Sequence, residues 1–170
     1  AYAMRPTSST GWVRAPEAEG PLVVVTPGEP AGVGPDLVIA CAQAPERAAR
    51  MIVATDPELL RERAAALQLP LVLQECALGE RPAPTASALR VWPVPLQTHV
   101  EPGMATAANA GHVLSTLDCA ASACQHGFAD AMLTGPVQKS VIIEPGHTSS
   151  GHTEYLAERT AAPLPVMMLV

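Results

Sequence analysis

The chain has 170 residues, of which 48% are hydrophobic and 3% aromatic, and its formal net charge is -6. A chain of this length buries a core of ordinary domain size, and with so few aromatic side chains that core is aliphatic, as in a parallel sheet covered by alanine-rich helices. The negative charge argues against a nucleic-acid partner, and no apolar run reaches the roughly 20 residues that span a bilayer, so we expect no membrane partner and a cytoplasmic location.

The sequence predicts an ordered domain that follows a leader. Residues 1–20 carry Pro, Ser, Thr and Gly without periodicity, which is typical of a flexible leader. Residues 21–170 are expected to fold. In the first half of this part, strands are predicted at 22–26, 51–54 and 71–74, and helices at 35–44 and 57–67. Such alternation is typical of βαβ units and therefore of a parallel sheet.

The second half continues the alternation. After a proline-rich connection, the predicted elements are a strand at 89–94, an alanine-rich helix at 106–125, a strand at 131–133 and a helix that ends near residue 160. Pro93 lacks an N–H group, which predicts that its strand lies at a sheet edge. The apolar run 166–170 is predicted to be a buried strand with no stop signal after it, which suggests truncation. The predicted fold class is α/β: a three-layer α/β/α arrangement with a mostly parallel, incomplete sheet.

A glycine-rich loop from Thr26 to Asp36 joins the first strand to the first helix. Gly28, Gly32 and Gly34 allow close backbone approach, and the helix start beyond them offers free N–H groups to an anion. One interpretation is a dinucleotide loop, with Asp56 after the second strand as the ribose-binding acid.

Other features of the same loop favour different interpretations. Pro27, Pro30 and Pro35 remove N–H donors, and Glu29 adds a negative charge where a pyrophosphate would lie. A purely structural turn is the remaining alternative. Gly32 and Gly34 therefore stand as weaker candidates for an anion site.

A histidine-containing loop from Gly146 to Glu154 precedes the last predicted helix. Ser150 or Thr153 could cap that helix, and its free amides together with His152 and Thr153 would then converge on a phosphate or carboxylate. A simple helix start with Thr153 as the cap is the alternative interpretation. A metal site using His147, His152 and Glu154 is a third, although the spacing matches no compact metal motif.

The remaining polar candidates are weaker. Lys139 follows a short strand in the segment Thr134–Lys139 and could present a charge to an anion. Two further groups are predicted to be structural: the histidines as surface or hydrogen-bonded groups, and the cysteines, which lack CxxC spacing, as small buried apolar residues. These are His99, His112, His126, Cys41, Cys76, Cys119 and Cys124.

Three motifs in order carry a family resemblance. They are Thr-Pro-Gly-Glu-Pro-Ala-Gly-Val-Gly-Pro-Asp from Thr26, Thr-Gly-Pro-Val-Gln-Lys from Thr134, and Gly-His-Thr-Glu from Gly151. Together they resemble the 4-hydroxythreonine-4-phosphate dehydrogenase family, and the resemblance spans about residues 22–170.

The resemblance implies an activity and a fold. It implies a dimeric enzyme with an isocitrate/isopropylmalate-dehydrogenase-like fold that oxidises its phosphorylated hydroxy-acid substrate with NAD, followed by loss of carbon dioxide, in pyridoxal phosphate biosynthesis. His152 and Thr153 would contact the substrate. The family also uses a divalent metal (Zn, Mg or Co) held by three histidines, which are expected beyond Val170. This chain, the amino-terminal portion, is therefore expected to hold no metal ligands, and it could be inactive alone.

Two positions depart from the family pattern. Gln138 stands where the family usually has His or a small polar residue, and Ser149 stands where it has an aromatic residue. Because relatives of similar sequence oxidise phosphorylated four-carbon sugar acids, that activity is one alternative. A non-catalytic module that binds a phosphorylated ligand is another.

Overall fold

The computed structural model describes residues 4–6, 12–14, 21–44, 50–81, 87–138 and 151–168. The first two segments are short strands, β1 (Met4–Pro6) and β2 (Trp12–Arg14), which pair antiparallel as a separate two-stranded sheet. Both strands lie within the segment that was predicted to be a flexible leader. The periodicity signal missed them because a three-residue strand is too short to show alternation.

A five-stranded sheet forms the centre of the domain. Its strands are β3 (Val23–Thr26), β4 (Met51–Thr55), β5 (Leu73–Glu75), β6 (Leu89–Pro93) and β7 (Ala131–Thr134). They lie in the order β5-β6-β4-β3-β7, and all four pairings are parallel. The predicted parallel sheet is confirmed, and its strands begin and end within two residues of their predicted bounds.

Among the described residues, four helices accompany the sheet: α1 (Gly34–Ala42), α2 (Pro57–Leu67), α3 (Ala110–Gln125) and α4 (His152–Arg159). A single 3₁₀ turn, Ala107–Asn109, leads into α3, so the helix predicted from residue 106 begins slightly later. The first two helices pack together on one face of the sheet, and α3 covers the other. This is the predicted three-layer α/β/α arrangement.

Side chains of the central strands point alternately to the two faces of the sheet, so the hydrophobic core is divided into two layers. In β3, Val24 packs with Ala120 and Ala123 of α3, whereas its neighbour Val25 packs with Ile39 of α1 and Leu60 of α2. All six side chains are buried. Successive strand residues point to opposite faces, so a continuous β-branched run fills both layers.

The prediction that Pro93 marks an edge strand is wrong, because β6 lies between β5 and β4. The N–H of Val94 donates to Thr55 O of β4, so the preceding residue faces the β5 side. On that side β5 has already ended, at Glu75 opposite Val91. The missing N–H of Pro93 therefore costs the ladder no hydrogen bond.

The apolar run after α4 also differs from its prediction. Leu164, Val166, Met167 and Met168 are exposed and belong to no strand, and residues 169–170 lie outside the described residues. A strand needs a neighbour with free N–H and C=O groups, which the local sequence cannot reveal. Among the helices that the structure describes, none is long and apolar enough to cross a membrane.

Candidate functional site

The loops after β3 and β7 interlock at the carboxyl edge of the sheet. The N–H of Gly135 donates to Thr26 O at 2.7 Å, and the N–H of Glu29 donates to Pro136 O at 2.9 Å. Because all five strands are parallel, the loops after β4 and β6 lie at this edge as well. Ligands of open α/β sheets gather at this edge, so it is the natural candidate site.

Close packing of these two loops explains the glycines of the first motif. A Cβ at Gly34 or at Gly135 would overlap the carbonyl oxygen of Pro27, and a Cβ at Gly28 would overlap that of Pro136. Gly28 also has φ +83°, a left-handed conformation that favours glycine. Backbone packing inside the chain therefore accounts for glycine at positions 28 and 34, which agrees with the interpretation of the loop as a structural turn.

Glu29 places a carboxylate inside the same loop. The residue is 6% exposed, and its Oε1 accepts a hydrogen bond from the N–H of Ala31 at 3.2 Å. Its Oε2 is buried without a hydrogen-bond partner in the part of the chain described. A pyrophosphate in this loop would meet that carboxylate in a region of low dielectric, where repulsion between like charges is strong. The loop is therefore a poor fit to a dinucleotide.

Asp56 has a structural role that occupies both of its carboxylate oxygens. Oδ1 accepts from the N–H of Glu58 at 2.8 Å, which caps the start of α2, and Oδ2 accepts from the N–H of Leu96 at 2.9 Å. Each oxygen therefore already accepts one backbone hydrogen bond. Asp56 thereby joins α2 to the loop that follows β6.

Asn109 also holds the loop after β6, to which Asp56 is hydrogen-bonded as well. Sequence reasoning missed this role of Asn109. The Oδ1 of Asn109 accepts from the N–H groups of Gln97 and Thr98, both at 3.1 Å, and its Nδ2 donates to Thr98 O. Gln97 Oε1 accepts from the N–H of His112. Asn109 directly before a helix was the available signal, since asparagine often caps helices; here its side chain bonds the neighbouring loop.

The histidines outside the motif are structural or exposed, as predicted. His112 is buried, and its Nδ1 donates to Pro95 O at 3.2 Å, while burial lowers the pKa of its imidazole. His126 is exposed at the end of α3 and bonds Ser122. His99 is exposed in the loop after β6.

The histidine motif forms the first turn of α4. Gly151 is the N-cap residue, no side-chain capping hydrogen bond is found within the described residues, and His152 and Thr153 occupy the first two helical positions. The alternative in which Thr153 is the cap is therefore wrong. The backbone N–H groups of a first helical turn can bind an anion, and the helix dipole favours a negative ligand there.

Helix α4 is attached to α3 through a polar cluster. The hydroxyl of Tyr155 donates to Asp118 Oδ1 at 2.6 Å, and Arg159 contacts both Asp118, at 2.9 Å, and the Tyr155 ring. Burial, reinforced by the hydrogen bond to Asp118, raises the pKa of Tyr155 to about 12. Sequence reasoning missed this cluster; its only signal was the rarity of tyrosine, which occurs twice in the chain.

Several candidates lie outside the described residues, namely Lys139, His147, Ser149 and Ser150. The contacts described for the glycine-rich loop are with residues 135–136, with Gly103 and, through Asp36, with Arg63, whereas those described for α4 are with α3. A single anion site shared by the two motifs therefore stays a prediction, as do the roles of His152, Thr153, Gly32 and Gly34. Within the described ranges, no group of three or more His, Cys, Asp or Glu side chains is placed to hold a metal ion.

All four cysteines are free, and the prediction that they are buried is confirmed for Cys76, whereas Cys41, Cys119 and Cys124 are half-buried. Cys76 is buried in the core under α3, and Cys119 and Cys124 pack against that core. Burial raises the pKa of the Cys119 thiol to about 11, which keeps it protonated and unreactive at neutral pH.

Comparison with known proteins agrees with the motifs. The family model for the pyridoxal phosphate biosynthetic protein PdxA matches residues 47–170. A 4-hydroxythreonine-4-phosphate dehydrogenase from Thioalkalivibrio sulfidiphilus is 50% identical over 150 residues, which are 88% of this chain and 45% of the relative. The enzyme of that name from Chromobacterium violaceum is 49% identical over 150 residues, with 88% and 44% covered. The chain thus spans less than half the length of these relatives.

Solved structures give the same result for the fold. A 4-hydroxythreonine-4-phosphate dehydrogenase from Klebsiella pneumoniae superposes with a TM-score of 0.75 at 26% identity, over 84% of this chain and 45% of that one. One from Burkholderia phymatum gives a TM-score of 0.71 at 22% identity, over 83% and 44%. With the family model matching well over half of its residues, the chain belongs to the PdxA family of pyridoxal phosphate biosynthetic proteins.

Proposed function

We propose that this chain is the substrate-binding amino-terminal part of an NAD-dependent 4-hydroxythreonine-4-phosphate dehydrogenase. The observation that carries the proposal is the family match over residues 47–170, together with relatives of that name at up to 50% identity. The reaction is oxidation of the hydroxyl group of 4-phosphooxy-L-threonine followed by decarboxylation, a step of pyridoxal phosphate synthesis. The enzyme acts in the cytoplasm as a homodimer.

In this proposal the start of α4 binds the anionic substrate. His152 and Thr153 supply side-chain donors, and the uncapped first turn supplies backbone N–H groups. Glu154 in the same turn carries a negative charge, so an anion binds best at the end of the helix, beside Gly151, away from that carboxylate. Lys139 and the amides of Gly32 and Gly34 are secondary candidates for the same anion.

NAD and the divalent metal (Zn, Mg or Co) are assigned to other parts of the longer protein. The buried carboxylate of Glu29 and the tightly packed glycines disfavour a pyrophosphate in the first loop. The described residues also offer no three-ligand group for a metal. When bound, the metal would polarise the substrate oxygens. The contribution of this chain is to bind and orient the substrate.

Calorimetric titration of 4-phosphooxy-L-threonine into the chain tests the proposal. His152→Ala should weaken binding about tenfold, the worth of one charge-assisted hydrogen bond, and leave the thermal midpoint unchanged. His126→Ala is the matched control, because His126 is exposed at the far end of α3 and should leave affinity intact.

The same titration separates the alternatives. Tighter binding of a phosphorylated four-carbon sugar acid would favour the related dehydrogenases. Equal binding of inorganic phosphate, with no turnover by the family-length gene product, would favour a phosphate-binding module. Equal affinity of the wild-type chain and the His152→Ala variant would refute the site.

A further inference from the structure

Within the described residues, α4 has one buried side chain. Tyr155 is 7% exposed, whereas the other seven residues of the helix are half-buried or exposed. A helix that buries so little apolar surface gains little from the hydrophobic effect. The specific geometry of its docking must then come from the polar groups around Tyr155.

Those polar groups form a closed triangle. The Tyr155 hydroxyl donates to Asp118 Oδ1 at 2.6 Å, Arg159 Nε lies 2.9 Å from the same oxygen, and both Nε and Nη2 of Arg159 donate to the Tyr155 hydroxyl at 3.2 Å. The guanidinium also lies over the ring, 5.2 Å from its centroid. Every pair in the triangle is in contact, so rotation of one member breaks two interactions.

The triangle lies on the same face of α4 as His152. Residues 152, 155 and 159 are spaced three and four apart, which places them along one side of an α-helix. Rotation of α4 about its axis would therefore turn all three residues together. A shift of one position along the helix corresponds to a rotation of about 100°. A contact that fixes Tyr155 against α3 therefore also fixes the direction of His152 and Thr153.

We propose that Asp118, Tyr155 and Arg159 are positioning residues that set the rotation of α4 on α3 and thereby orient His152 and Thr153 toward the substrate. This inference rests on the proposed function, in which those two residues bind a phosphorylated hydroxy acid. None of the three triangle residues touches the substrate; each acts through the helix.

Asp118→Asn and Tyr155→Phe test this role. Asp118 is part-exposed and Phe retains the buried ring, so both variants should fold, with thermal midpoints within about 4 °C of wild type. Their dissociation constants for 4-phosphooxy-L-threonine should rise about tenfold, because each replacement weakens a charge-assisted hydrogen bond. Arg159→Lys keeps the cation and should stay within about threefold of wild type.

Arg61→Lys is the matched control. Arg61 also joins two acidic partners, Glu58 and Glu75, but on α2, away from α4. Its replacement should leave both the affinity and the NMR signals of the His152 ring unchanged. In the Asp118→Asn variant, by contrast, those ring signals should shift, since the imidazole changes its surroundings.

The outcomes distinguish this role from the function on which it rests. Wild-type affinity in both triangle variants would overturn the positioning role, and so would a loss of affinity that only tracks a large drop in thermal midpoint. If the wild-type chain binds no phosphorylated hydroxy acid, the proposed function fails. The His152 ring signals then still decide whether the triangle sets the orientation of α4: a shift supports it, and unchanged signals refute it.

Discussion

The two sequence motifs at this end of the domain are held in place by different kinds of contact. The contacts between the glycine-rich loop and the loop after β7 are made by main-chain atoms: Thr26 O and Pro136 O each accept a backbone hydrogen bond across the junction. Helix α4 is fixed by side chains, through Tyr155 and its two charged partners. In the first motif a side chain at Gly34 would overlap the Pro27 carbonyl oxygen, whereas the second motif depends on three functional groups.

This difference shows that motif specificity and ligand contact are separate properties. The longer motif is the more specific family signal, yet its glycines are explained by contacts inside the chain. The shorter Gly-His-Thr-Glu motif leaves His152 and Thr153 at an uncapped helix start, where an anion can be bound. Substitutions in the first should therefore act on stability, and those in the second on affinity.

Gly34→Ala should have the largest effect on stability. Its Cβ would overlap the Pro27 carbonyl oxygen, and backbone in an interlocked loop has little room to move. We expect a loss of about 3 kcal/mol or more in the free energy of unfolding, measured by urea denaturation.

Gly111→Ala provides the control for that measurement. It also lies in the first turn of a helix, but its Cβ would meet only the Gln97 side chain, at an ordinary 3.5 Å. Alanine favours helix over glycine by about 1 kcal/mol, so this variant should be as stable as wild type or more so. Equal losses in the two variants would contradict the idea that steric overlap requires glycine at position 34.

Asp56→Ala should have the next largest effect. It removes the cap of α2, worth about 1 kcal/mol, and leaves the Leu96 N–H without its acceptor, so we expect a loss of about 2 kcal/mol in urea denaturation. Asp56→Asn keeps one acceptor oxygen and should lose less. If Asp56 instead bound a ribose, the Ala variant would lose NAD affinity while keeping its stability.

Much of the fold could be predicted because its signals are local. Strand β3 is a β-branched run that ends at a Pro/Gly cluster, and α2 starts at an Asp-Pro pair, which is a common helix start. The prediction that Pro93 lies in an edge strand was wrong, because the consequence of its missing N–H depends on where the neighbouring strand ends. That end, at Glu75, is a long-range property.

The candidate site could be predicted less completely. The order of the three motifs led to the family resemblance and to His152 and Thr153. An alternative interpretation made Thr153 the helix cap, whereas the N-cap in the structure is Gly151. Either residue precedes a helical pattern, and local sequence does not decide between them. The contact between Asp118 and Tyr155 spans 37 residues of sequence and belongs to no motif, so it could be found only from the fold.

Thr153→Ala should separate stability from affinity in the second motif. Thr153 makes no capping hydrogen bond, and alanine is a better helix former, so the free energy of unfolding should change by less than about 0.5 kcal/mol. Affinity for 4-phosphooxy-L-threonine should fall about tenfold by calorimetry. Thr160→Ala, at the opposite end of α4, is the control and should bind normally. A loss of stability in the Thr153 variant, with normal affinity, would restore the capping interpretation.

A pH titration should produce the smallest effect and should separate the two regions. Burial lowers the pKa of His112 below its ordinary value of 6.5, against smaller opposing contributions from Pro95 O and the charge of Asp56. Below about pH 6.5 the unfolded chain therefore binds a proton that the folded chain resists, and stability falls as the pH decreases towards the native pKa.

The hydrogen bond that attaches α4 to α3 should not respond to the protonation of His112. The pKa of Tyr155 is raised to about 12, so its hydroxyl stays protonated and hydrogen-bonded to Asp118 throughout. Urea denaturation from pH 7.5 to 5.5 should thus show a decline that is reduced in His112→Asn, which can still donate to Pro95 O but cannot be protonated there. The His152 ring environment, followed by NMR in the Asp118→Asn background, should differ from wild type by the same amount at pH 7.5 and at pH 8.5. An unchanged decline in the His112 variant would show that His112 is not the source of the acid sensitivity.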